Sequence, residues 1–236
     1  MHSPTNTHWA VAKRVLRYLK GTIDHGLFFS KSSFHLHAFC DSDWVGGPDD
    51  LRSTTGFGIF LGSCLVSWSA KKQSVVARSS TEAEYRAMAI TTADLYWIRM
   101  LLKDLHVPLS SPPILWCDNA GALALASNPV FHARTKHIKI DYHFIREKVV
   151  NRDMSLRFIS TGDQRADIFT KGLPTPRFQL LRDKLLVSSY PVSLRGAVKE
   201  ISLQHTQSDS LPSIAHTAHQ QLKSKSRLDK EISNQT

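Results

Sequence analysis

What the 236-residue sequence lacks narrows it first. No stretch of about 18 apolar residues occurs, so no membrane span is expected. The opening residues carry no apolar signal-peptide core, so an intracellular protein is expected, with cytoplasm and nucleus left open. Cysteine is scarce: Cys40, Cys64 and Cys117 are an odd number without Cys-x-x-Cys spacing. All three fall in strand-like apolar runs, which reads as buried thiols in a reducing compartment, neither zinc ligands nor a disulfide frame. His132, His137 and His143 lack the four-residue helical spacing of a zinc motif. Acids are outnumbered, 20 against 30 Lys plus Arg, and the formal charge of +10 favours a polyanionic partner. No internal repeat is apparent.

What is present supports one sizeable core, or one domain with tails, at 42% hydrophobic residues. Residues 8–20 have Val11, Val15, Leu16 and Leu19 at helical spacing with Lys13, Arg14, Arg17 and Lys20 elsewhere, so an amphipathic helix ending at Gly21 is predicted. No upstream segment covers its apolar stripe, which implies a preceding domain. Strands are predicted over 34–40, Gly56–Leu61 and Cys64–Ser69, the last two joined in a hairpin, with Lys71-Lys72-Gln73 as a polar connector. The longest helix starts at Ser79-Ser80-Thr81-Glu82-Ala83-Glu84 and runs to about Leu105. Thr81-x-x-Glu84 has capping-box spacing, and Ala83, Ala87, Ile90, Trp97, Leu101 and Leu105 form its apolar side. Ile114–Cys117 reads as a central strand buried on both faces, and Asn119 as the cap of an Ala-rich helix over Ala120–Ser127. A basic helix over 132–150, with Ile138, Phe144, Ile145 and Val149 inward, leads to a last strand at Leu156–Ser160. Helices over Asp163–Lys171 and Arg177–Val187 follow. Residues 190–236 are rich in Ser, Gln and His without a sustained period, so disorder is expected there.

Four acids stand out on this frame. Asp41 and Asp118 each end a strand, Glu84 opens the long helix, and Asp167 lies in a late one. The carboxyl edge of an α/β sheet is where active sites tend to lie. Glu84 and Asp118 also have plain roles as capping residues, and Glu82 suits the helix dipole equally well. Four carboxylates without His or Cys partners favour hard cations such as Mg²⁺ over zinc. Two such ions about 3.5–4 Å apart hold the attacking water and leaving oxygen of an in-line phosphoryl displacement.

The segment from about 8 to 187 resembles the ribonuclease H domain of Ty1/copia-type retrotransposon Pol polyproteins. The resemblance is carried by Val11–Thr22, by Cys40-Asp41-Ser42-Asp43-Trp44-Val45-Gly46 and by Arg52-Ser53-Thr54-Thr55-Gly56. It continues in Ser79-Ser80-Thr81-Glu82-Ala83-Glu84-Tyr85, Cys117-Asp118-Asn119 and Ala166-Asp167-Ile168-Phe169-Thr170-Lys171. It implies an α/β, ribonuclease H-like fold: a five-stranded mixed sheet, its first three strands antiparallel, flanked by helices. The implied division is 1–30 as a linker and helix trailing an absent reverse transcriptase domain, 31–188 as the ribonuclease H-like domain, and 189–236 as a disordered tail. It further implies Mg²⁺-dependent cutting of the RNA strand of RNA–DNA hybrids, using two ions, with Mn²⁺ able to replace them. The implied partners are the hybrid and a reverse transcriptase in the same polyprotein, with no membrane. The catalytic, metal-holding acids fall on Asp41, Glu84, Asp118 and Asp167, leaving Asp43 and Glu82 as supporting or capping residues.

Departures from the family pattern are Lys139, where relatives usually carry an acid, and Ser160–Arg165, where no histidine of the product-release type precedes Asp167. With Met1 just before the linker, a fragment of an element's polyprotein is expected. Two other readings compete with the nuclease. One is a non-catalytic remnant that binds nucleic acid through its basic surface. The other is a strand-transfer enzyme of the integrase type, disfavoured because the acids run Asp, Glu, Asp, Asp instead of Asp, Asp, Glu.

Overall fold

The computed structural model describes residues 3–47, 49–127 and 138–189. In chain order, α1 (Asn6–Gly21) and β1 (His25–Leu27) lead into β2 (Leu36–Asp43), β3 (Thr54–Leu61), β4 (Cys64–Lys72) and α2 (Ser80–Asp104). Then come β5 (Ile114–Cys117), α3 (Ala120–Ser127), α4 (Lys139–Val150), β6 (Ser155–Phe158), α5 (Asp167–Thr170), α6 (Thr175–Lys184) and β7 (Val187–Ser189). The main sheet has the order β4-β3-β2-β5-β6. Strands β2, β3 and β4 are antiparallel, whereas β5 pairs parallel to β2 and β6 parallel to β5. This is the ribonuclease H-like α/β arrangement.

Strand β2 is the centre of it. Six of its eight residues are buried, the exceptions being His37 and Asp43. A strand with neighbours on both sides and helices over both faces has little use for polar alternation, which explains its imperfect pattern. On one face, Leu36, Ala38, Cys40, Phe57 and Ile59 pack with Tyr85, Met88 and Leu95 of α2 and with Tyr142 and Ile145 of α4. On the other, Phe39, Phe60 and Leu65 pack with Ala166, Ile168, Phe169 and Leu185. The segment carrying Asp167 is thus pressed onto the opposite side of the sheet from the helix carrying Glu84. All three cysteines are free and buried.

Several expectations need correction. Ile90, Trp97, Leu101 and Leu105 are exposed, not part of the buried side of α2. The face laid on the sheet instead uses Ala83, Ala87, Met88, Thr91, Thr92, Leu95 and Ile98. Small residues permit close approach, and the two threonines satisfy their hydroxyls on the Ala87 and Met88 carbonyls at 2.7 Å, so polarity hid this face from the pattern. Lys71 and Lys72 are not a connector but the end of β4, and Lys72 pairs with Asp50 at 3.0 Å. The helix expected over Asp163–Lys171 is the single turn α5. The helix expected to Val187 stops at Lys184, and Val187–Ser189 pairs antiparallel with His25–Leu27. The basic helix begins at Lys139, its expected residues 132–137 lying outside the described residues, as does the tail from 190 onward. Helix α1 buries none of its residues. No helix among the described residues is long and apolar enough to cross a membrane.

Candidate active site

Asp41 sits near the end of β2, paired across the ladder with Gly56, and its carboxylate is almost wholly buried. Because β5 runs parallel to β2, Asp118, the residue after Cys117, leaves the sheet at the same edge. Glu84 enters from the second turn of α2, and its Oε1 accepts a hydrogen bond from the Ser42 amide at 3.2 Å. Ligand atoms of Glu84, Cys117 and Asp118 lie within 4.8 Å of one another. Asp167 comes from the far face. Lys171, one turn on, donates from Nζ to Asp41 Oδ1 at 3.1 Å and to Asp167 Oδ1 at 2.5 Å. The structure therefore brings Asp41, Glu84, Asp118 and Asp167 to one edge of the sheet.

The paired acids separate by their contacts. Asp43 accepts the Thr54 amide and so closes the turn after β2. The cap of α2 is Ser79, which accepts from the Glu82 amide at 3.2 Å, and not Thr81. Glu82 accepts from the Arg78 amide at 2.9 Å and pairs with Arg86 at 3.0 Å. Capping is thus the work of Ser79, with Glu82 taking the Arg78 amide beside it, and the expected capping box of Thr81 and Glu84 does not form.

Sequence reasoning missed most of the supporting shell. Gln164 is fully buried; its Nε2 donates to the Cys40 carbonyl at 2.8 Å and to Asp118 Oδ1 at 3.4 Å. Thr161 Oγ1 donates to Asp118 Oδ2 at 3.0 Å, and Thr170 Oγ1 donates to Asp41. Arg177 binds Asp167 Oδ2 at 3.1 Å and is itself held by the Gly162, Thr161 and Gln164 carbonyls. Gln73 ties Ser42, Thr55 and the Ala83 carbonyl together beneath the site. Of these, only Lys171 carried a legible signal, its i,i+4 spacing from Asp167.

Burial and crowding set the electrostatics. Burial first, then the Cys117 thiol, Asp41 and Asp118, push the Glu84 pKa up to about 9. Burial also raises Asp41, against the opposing pull of Thr170 and Lys171. For Lys171, burial works against the ammonium, but Asp167 and Asp41 outweigh it and hold its pKa above the ordinary lysine value. Carboxylates crowded at this density are the usual setting for a bound cation. The donor set fits a hard one: four carboxylates, with an ammonium already standing in between two of them. The hydrogen bond with Cys117, then burial, pushes the neighbouring Cys40 thiol well up. A cleft of about 800 Å³ lies at the far end of α2, around Arg99, Lys103, His106 and Pro112, and gathers no such cluster.

No family model matches the chain. Curated relatives do. The chain is 50% identical over 200 residues to the retrovirus-related Pol polyprotein from transposon RE2 of Arabidopsis thaliana, covering 84% of this chain and 14% of that protein. It is 49% identical over 194 residues to the corresponding polyprotein from transposon RE1 of the same plant, covering 82% of this chain and 13% of the relative. Against the Pol polyprotein from transposon TNT 1-94 of Nicotiana tabacum it is 36% identical over 183 residues, 78% of this chain and 14% of the relative. The chain thus spans about a seventh of the length of these relatives. Among solved structures, LC11-RNase H1 from compost shares 16% identity over 58% of this chain and 93% of that one, with a TM-score of 0.45.

Proposed function

We propose that this chain, which belongs to the family of retrovirus-related Pol polyproteins of copia-type transposons, is the ribonuclease H portion of such a polyprotein and hydrolyses the RNA strand of RNA–DNA hybrids. The observation that carries the reading is the meeting of Asp41, Glu84, Asp118 and Asp167 at the edge of the sheet, from four separate elements and both of its faces. Asp41, Glu84, Asp118 and Asp167 would hold two Mg²⁺, or Mn²⁺, which when bound supply Lewis-acid stabilisation of the phosphate and of the attacking and leaving oxygens. In the reaction, water oxygen bonds to phosphorus as the bond to the 3′-oxygen breaks, leaving a 5′-phosphate and a 3′-hydroxyl that takes up a proton.

The chain's own residues orient the carboxylates. Gln164 and Thr161 fix both oxygens of Asp118, the Ser42 amide fixes Glu84, and Arg177 fixes Asp167. Such positioning is what in-line displacement requires. The formal charge of +10 supports binding to a nucleic-acid backbone, and 2′-hydroxyl contacts would distinguish the RNA strand. A reverse transcriptase in the same polyprotein would supply the hybrid.

The test is cleavage of a labelled RNA–DNA hybrid by the recombinant chain, with Asp118→Asn as control. Mg²⁺-dependent release of 5′-phosphorylated RNA fragments, absent in Asp118→Asn, is expected. Cutting without a divalent ion, or cutting indifferent to the substitution, sinks the mechanism. Salt-sensitive hybrid binding with no cleavage at any Mg²⁺ concentration would make the chain a binding remnant instead.

A further inference from the structure

The four carboxylates are not compensated alike. Among the described residues, Glu84 and Asp118 meet neutral donors: the Ser42 amide, the Cys117 thiol, the Thr161 hydroxyl and the Gln164 amide. Asp41 and Asp167 share a cation, the Lys171 ammonium, whose hydrogen bonds among the described residues go to those two carboxylates. Arg177 also touches Asp167, but in a different manner. Three backbone carbonyls hold its guanidinium in place, and its side chain is 22% exposed. Among the described residues Lys171 has no backbone anchor for its Nζ; its side chain is 37% exposed and stands on a flexible four-carbon stem. One cation is built in; the other has a way out.

We propose that Lys171 is an internal counter-ion of the carboxylate site, bridging Asp41 and Asp167 in the metal-free protein and leaving when a divalent ion takes the same two oxygens. The inference rests on the nuclease reading above and adds a positioning residue to it. Before binding, the ammonium offsets the repulsion between an acid on β2 and one on the α5 segment packed over the same face, and so holds α5 against β2. On binding, it competes with the ion for Asp41 Oδ1 and Asp167 Oδ1. The Glu84–Asp118 side has no such competitor among the described residues. The two halves of the site therefore differ in apparent affinity, the half beside Lys171 being the weaker. A competing internal cation reduces apparent affinity by the fraction of time it occupies the oxygens.

The first test uses the unaltered 236-residue chain. Lysine acylation by a water-soluble acetylating reagent is followed by peptide mass spectrometry across a Mg²⁺ titration. Lys171 is expected to be protected without the ion and to gain reactivity as Mg²⁺ binds, while Lys184, paired with Asp163 at 3.3 Å, stays constant. The second test is calorimetric titration with Mg²⁺ in the absence of nucleic acid. Lys171→Met, which keeps the stem and removes the charge, is expected to tighten the weaker binding phase by about tenfold, and Lys171→Arg to restore or exceed the wild-type weakness. A flat Lys171 acylation rate under conditions where calorimetry registers Mg²⁺ binding overturns the inference, even if Lys171→Met fails to fold. So does a Lys171→Met isotherm that superimposes on the wild-type one. If the wild-type chain binds no Mg²⁺ at all, the nuclease reading falls and the counter-ion role with it.

Discussion

Gly56 stands directly across the β2–β3 ladder from Asp41, and α5 lies so close over it that a Cβ there would come within 2.5 Å of Thr170 Cγ2 and 2.8 Å of Phe169 Cβ. The missing side chain is what allows the segment bearing Asp167 to reach Asp41. Gly56→Ala forces α5 away from the sheet, and overpacking of this kind costs about 1–3 kcal/mol. Urea unfolding should register that loss, and hybrid cleavage should fall further than the unfolded fraction explains. Wild-type cleavage by Gly56→Ala would mean that the close approach is dispensable.

The division of labour at the start of α2 separates stability from chemistry. Ser79→Ala removes the cap on the Glu82 amide and should cost about 1 kcal/mol of stability, with cleavage per folded molecule retained. Glu84→Gln preserves shape and relieves a charge that is disfavoured by burial. It should fold at least as well as wild type in the absence of metal yet cleave only at background. Thermal melts paired with the hybrid assay distinguish the two, and the reverse pattern would exchange the roles of these residues.

Gln73 fastens β2, β3 and α2 together through Ser42, Thr55 and the Ala83 carbonyl, while its Oε1 has no hydrogen-bond partner among the described residues. Gln73→Leu leaves buried hydroxyls without the amide and should cost about 1–3 kcal/mol. A double-mutant cycle with Ser42→Ala should return coupling of roughly 0.5–3 kcal/mol. Additive losses from the two changes would show that the amide does not join them.

His37 stacks on Phe60 with ring centroids 5.3 Å apart, and burial, then the Arg165 charge, lower its pKa below the ordinary histidine value. Arg165 itself lies 4.9 Å from the Phe39 ring and 5.2 Å from the Phe60 ring. A histidine depressed on folding favours the native state fully above its unfolded pKa of about 6.5. That contribution is lost as pH falls through the lower folded value. Melting temperature should therefore decline on acidification below about pH 6.5, with a shallower slope over that window in His37→Gln. Identical slopes in the two proteins would remove His37 as the source.

The meeting of these acids was legible in part because their placement leaves local marks: a carboxylate closing an apolar run at Asp41 and Asp118, and another beside a helix start at Glu84. The residues that orient them were not. Gln164 reaches the Cys40 carbonyl across 124 positions and Lys171 reaches Asp41 across 130; neither partnership leaves a trace in spacing. The buried side of α2 was misread because Ala and Thr, which suit a tight helix–sheet contact, score as indifferent while exposed Trp97 and Leu101 score as core.

By itself, the order of apolar runs, turns and acids determined which segments become strands and helices, because hydrogen-bonding period and capping are local properties of the chain. Only the tertiary structure decided which acid of each pair meets the others, which cation stands between Asp41 and Asp167, and that Gly56 is the gap that lets α5 close onto the sheet. Those outcomes depend on packing distances between residues far apart in sequence, and distance across a fold is a quantity that no stretch of sequence contains.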